Sequence, residues 1–254
     1  MATGIFEDKG RMIRKQLYLA ALILTVVWSG LAHADKTKSF NDDVSRAYAA
    51  YRSAANYLRT GNPGIAYLEL SEASDAWGEI FKRYAKAAPQ PYTNDKHFHH
   101  AISNIGKALK EGRDLAESGD AAGSLETIHP VREWLYELRN RNGVRLYADC
   151  VTELNQAMEP IFVHRKIVPN LDKEAVRARM VKEGRTYQGL LNDCHALAPA
   201  SYTSDPEFIR LYASTKQSIA SIFPAIESLQ AQRVINVIRE LRSFDRIIYF
   251  KFGG

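Results

Sequence analysis

From residue 39 onward the apolar positions of this chain recur at three- and four-residue spacing with polar residues between them, the period of helices that bury one face. Phe40, Val44, Tyr48, Tyr51, Ala55 and Leu58 make a first stripe. Ser39 followed by Asp42 predicts a capping box at its start, with Asp in place of the usual Glu. Thr60-Gly61-Asn62-Pro63-Gly64 predicts its end, because glycine takes left-handed conformations and proline cannot continue a helix. A second stripe runs through Ile65, Leu68, Ala73, Trp77, Ile80, Phe81 and Tyr84 and stops near Ala88-Pro89-Gln90-Pro91. A third opens at Asn94 or Asp95, uses Phe98, Ile102, Ile105, Leu109 and Leu115, and turns at Gly119-Asp120. A fourth uses Leu125, Ile128, Val131, Leu135 and Leu138 and ends at Asn142-Gly143. No stretch alternates apolar and polar over a strand's length.

The plan then repeats, predicting helices over roughly 145–166, 172–197, 204–227 and 230–251. A displacement of 110 residues places Trp77 on Tyr187, Ala88-Pro89 on Ala198-Pro199 and Tyr92-Thr93 on Tyr202-Thr203. It also places Asp95 and Phe98 on Asp205 and Phe208, Arg132 on Arg242 and Gly143 on Gly253, without a gap. A fixed-period self-match of this kind predicts a duplicated unit. Ser204-Asp205-Pro206-Glu207 predicts a helix start with Ser204 as the cap, and Pro224 predicts a kink or an early end. The expected fold is all-α: two tandem up-down four-helix bundles, 35–143 and 144–254, packed together by the short junction at Gly143.

Residues 1–34 stand apart. Arg11, Arg14 and Lys15 precede the apolar run from Leu17 to Trp28, and Ala32-His33-Ala34 offers a small-x-small cleavage site, the three-part layout of a secretory signal peptide. Met12 is the expected true start, and the periplasm the expected location. The run is shorter than the roughly 20 residues of a membrane span, so no permanent span is expected; retention as an uncleaved anchor is the alternative. The whole chain carries 34 basic and 29 acidic side chains, of which four and two precede Asp35, leaving a net charge of +3 on residues 35–254. Interspersed charges of that size exclude a nucleic-acid partner as the expectation.

Cys150 and Cys194 are the two cysteines, and in an exported chain they predict a disulfide. Displaced by 110, they correspond to Phe40 and Tyr84, which stand at the two ends that meet in an antiparallel helix pair. One unit is therefore expected to hold an aromatic contact where the other holds a crosslink. Buried free thiols and a redox-active pair are the alternatives, the latter without a Cys-x-x-Cys.

An exported four-helix unit with Asp-x-x-Phe opening its third helix (Asp95 to Phe98) and a basic amphipathic fourth helix resembles the cytochrome c-prime and soluble periplasmic cytochrome b scaffolds. The resemblance implies the bundle fold and a haem between the helices. The chain departs from it at the haem: no Cys-x-x-Cys-His ends a fourth helix, Cys194-His195 has Leu191 in place of the first cysteine, His129 stands too early, and Met158 has no histidine partner on its unit's fourth helix. The resemblance therefore bears on fold alone, and no cofactor is expected.

His97 and His100 lie one helical turn apart beside Asp95, a spacing that can ligate Zn or Cu. The corresponding positions Glu207 and Arg210 read as ordinary first-turn polar residues, so no metal is expected and these two histidines are the weak candidates. Tyr48, Tyr51, Tyr84 and Tyr187 fall on inward stripes and read as core side chains with a polar handle. No phosphate loop, nucleophile elbow, His-Glu-x-x-His or di-iron pattern is present, so no catalytic residue is assigned. The expected function is that of a non-enzymatic periplasmic binding or scaffold module with an envelope protein partner; a small-ligand, metal or haem binder is the alternative.

Overall fold

The computed structural model describes residues 39–254. The signal segment, the start at Met12 and the cleavage site after Ala34 lie outside the described residues. Within them the chain is all-helical, with no strand. Helix α1 covers 39–59 of the described chain and is followed by α2 (Pro63–Tyr84), a 3-10 turn (Tyr92–Asn94), α3 (Phe98–Glu117), α4 (Ala121–Ile128) and α5 (Pro130–Asn140). The second half holds α6 (Tyr147–Val163), α7 (Glu174–Leu197), the single turn α8 (Ala200–Thr203), α9 (Pro206–Glu227) and α10 (Ala231–Phe252).

Several boundaries have a chemical cause. Pro63 enters α2 in the first turn, where its missing N–H is not needed. Asp120 and Asp205 accept backbone N–H groups at the starts of α4 and α9, which makes Asp205, rather than Ser204, the cap of α9. Ser39 is itself helical, so it does not cap α1. The third helix starts at Phe98, after a 3-10 turn, and not at Asn94 or Asp95. The predicted fourth helix is two: Pro130 has no N–H for the carbonyl one turn back, and the chain breaks at His129 between α4 and α5. The single helix α10 stands at the corresponding place. Helix α9 passes through Pro224 and ends one turn later, at Glu227.

In the first half α3 lies between α2 on one side and α4 and α5 on the other; in the second, α6, α7, α9 and α10 close a ring of neighbours. Buried side chains from both halves join in one continuous apolar core. Several local features recur at a displacement of 110. Gly119 (φ 87°) and Leu229 (φ 56°) both turn left-handed between consecutive helices, a conformation that a leucine adopts against its own Cβ. Asp95 and Asp205 both accept an N–H from two residues on.

Candidate functional site

Cys150 and Cys194 form a disulfide between α6 and α7, with Cα atoms 5.3 Å apart and neither side chain exposed. The corresponding Phe40 and Tyr84 meet edge to face with ring centroids 5.0 Å apart. Two buried side chains tie the corresponding helix ends in each half, one pair covalently and one by aromatic packing. Phe40 also touches Tyr92 and Phe98, and Phe208 meets Tyr202, Tyr212 and Phe252 at the corresponding end of the second half.

The seam between the halves is polar as well as apolar. Arg52 of α1 donates to the carbonyls of Tyr249 and Phe250, 2.8 Å each, and so satisfies the C-terminal turn of α10. Arg132 of α5 donates to Thr152, to the Val151 carbonyl and to Asn155 of α6, and its guanidinium stands 4.3 Å from the Tyr249 ring centroid. Asn155 donates in turn to Asp245, at 2.6 Å. Burial pushes the Asp245 carboxyl up to about 6, against the pull of that hydrogen bond and of Arg242 and Arg132. Arg139 of α5 grips Asp149 at the start of α6, both almost wholly buried, and Asp149 also accepts the Leu146 N–H. Burial likewise raises the phenols of Tyr48 and Tyr51. Tyr48, Tyr51, Tyr84 and Tyr187 are all in the core. The polar handle expected of Tyr187 has no partner: its hydroxyl is buried without a hydrogen bond.

His97 and His100 line one shallow cleft of about 360 Å³ with Asn104, Trp134, Glu137 and Arg141. His100 is hydrogen-bonded to Asn104 at 2.9 Å, and Arg141 is held by Asp95. Among the described residues no group of three or more His, Cys, Asp or Glu side chains is placed to hold a metal. The haem that the scaffold resemblance implies does not fit the residues present. His129 is exposed in the α4–α5 break, Met158 is fully buried in the other half, and the one buried histidine of the described residues, His164, is committed to Glu183 at 3.0 Å.

Sequence periodicity missed the α6–α7 loop, whose apolar residues follow no helical stripe. Val163, Ile167 and Val168 are 55%, 71% and 66% exposed, beside exposed Arg165 and Lys166. The loop is anchored on both sides. His164 is tied to Glu183, while Pro169 and Leu171 are buried and Arg177 donates to the Leu171 and Asp172 carbonyls. Leu229, also exposed, lies at the same end of the second half, in the α9–α10 turn. The loop thus holds three branched aliphatics in water beside two cations. Among the described residues no helix is long and apolar enough to cross a membrane. Compared with family models, curated proteins and solved structures, the chain matches none.

Proposed function

We propose that this protein is an exported, non-enzymatic helical module, a duplicated pair of four-helix bundles joined through one core, that binds an envelope protein partner through the tip at Val163–Val168. The anchored, solvent-exposed aliphatic loop carries this reading. Duplication is supported by the paired helix bounds, by the two left-handed turns at Gly119 and Leu229, and by the aromatic contact that stands where the second half has its disulfide. The disulfide fits an oxidising compartment such as the periplasm. The seam cations are spent on backbone carbonyls and carboxylates that hold the halves together, which suits a rigid scaffold better than a reacting centre.

The test is native size-exclusion of periplasmic extract from the source cells, probed for the wild-type chain and for Ile167→Asp/Val168→Asp. The wild type is expected in an assembly larger than the purified chain, and the variant at the volume of the purified chain. Elution of the wild type at that same volume, or retention of the variant in the assembly, overturns the reading.

A further inference from the structure

We infer a second site, independent of the partner-binding tip: a groove between α2 and α3 that takes a small planar aromatic anion. The groove is open to solvent, has a volume of about 300 Å³ and is lined by Trp77, Gly78, Phe81, Ile102 and Gly106, with Ser74 and Ser103. That size suits a body of one or two rings, in a cleft largely apolar with a few polar groups. Gly78 leaves it open, and Gly106 makes room for the Trp77 indole. A Cβ on Gly78 would meet nothing within 4 Å, and one on Gly106 would stand 3.0 Å from Trp77. The Trp77 indole N–H is spent on the Ile102 carbonyl at 2.8 Å and both side chains are buried, so the apolar surface left to a ligand is chiefly that of Phe81, 42% exposed.

The charge of the ligand follows from the rim. Lys107 and Lys110 are the charged residues that line this groove. Glu111 and Asp114 border the neighbouring cleft with them. Among the described residues neither lysine makes an ion pair or a side-chain hydrogen bond. Two uncommitted ammonium groups beside an apolar surface complement an aromatic body that ends in a carboxylate or sulfonate.

The other half shows what the groove is without these residues. At a displacement of 110, Gly78 and Gly106 become Gln188 and Lys216, and Lys107 and Lys110 become Gln217 and Ala220. There Arg185 stacks on Phe223, with 4.0 Å from guanidinium to ring centroid, and donates at 2.9 Å to Gln188, the residue that stands in place of Gly78. The open Gly78 position and the Lys107–Lys110 pair belong to the first half, whereas the second carries Gln188 and its own cations Arg185 and Lys216 at that surface.

The test is titration of the purified protein with 1-naphthaleneacetate, read by two-dimensional 15N NMR at the Gly78 and Gly106 amides and the Trp77 indole N–H. Saturable shifts at these three positions are expected, with a dissociation constant of about 1 mM or tighter. Gly78→Gln, which fills open space and leaves the core intact, is expected to weaken binding about tenfold or more. Lys107→Gln/Lys110→Gln and the neutral analogue 1-naphthalenemethanol are each expected to weaken it about fivefold. No saturable shift at these positions, shifts centred on the Trp134 cleft, or equal binding by Gly78→Gln would each overturn the proposal. Equal affinity for the neutral analogue would overturn its anionic part.

Discussion

Breaking the Cys150–Cys194 bond gives a change large enough to test the account of the second half. The bridge spans 44 residues, joins the start of α6 to the last turn of α7, and has both cysteines fully buried. In the chain-entropy model a closed loop of that length stabilises the folded state by about 4 kcal/mol. Its Cα separation of 5.3 Å lies in the ordinary range for a disulfide. Cys150→Ala/Cys194→Ala avoids burying an unpaired hydroxyl, so most of the loss comes from the freed unfolded chain. For a protein of this size each kcal/mol lowers the melting temperature by about 2–4 °C, which predicts a fall of about 8–16 °C. Thermal unfolding followed by far-ultraviolet circular dichroism reads it, and thiol titration of the oxidised wild type in denaturant checks the starting state. Two titratable thiols in that sample, or a fall of less than about 3 °C, would refute the reasoning.

Arg139→Ala leaves Asp149 buried without its cation and is expected to cost about 3–5 kcal/mol in guanidinium unfolding. Gly112→Ala drives a Cβ against Ile128 Cγ2; a loss of about 1–3 kcal/mol, partly restored by adding Ile128→Leu, which lacks that methyl on its Cβ, is the expected signature of that contact. Asp245 is an acid whose folded pKa, about 6, lies above its ordinary 3.8. The folded state therefore holds the proton more tightly, and this residue's contribution to stability is full below about pH 4 and falls as pH rises through about 6. Urea midpoints of wild type minus Asp245→Asn should decline across that window and level off above it. If the halves are copies, Phe40→Cys/Tyr84→Cys should close a disulfide on oxidation, read as a loss of two hydrogens by mass spectrometry.

What was legible in the sequence, and what was not, follows from range. The helices are written in local period, so α2, α7, α9 and α10 fall within about two residues of their stripes. The disulfide and the Phe40–Tyr84 contact were reachable because antiparallel helix ends meet. The break at His129 was missed although Pro130 is its cause: the apolar stripe runs on through it, from Leu125 to Leu138. The cap of α9 was placed one residue early because Ser204 and Asp205 are both good capping residues, and only geometry selects the carboxylate. The polar seam was out of reach. Arg52, Arg132 and Asp245 each sit within an ordinary amphipathic pattern, and their partners lie 197, 19 and 90 positions away. The groove beside Trp77 was missed for a similar reason, since Gly78 and Gly106 read as neutral helix residues until α2 and α3 are set side by side.

The partner-binding tip is tested most directly by placing a photo-activated benzophenone amino acid at Ile167, with Arg246, exposed toward the far end of α10, as the control, and irradiating living source cells. A discrete crosslinked species at position 167, absent at 246, is the predicted result. No discrete species at 167, or the same species from both positions, would contradict it.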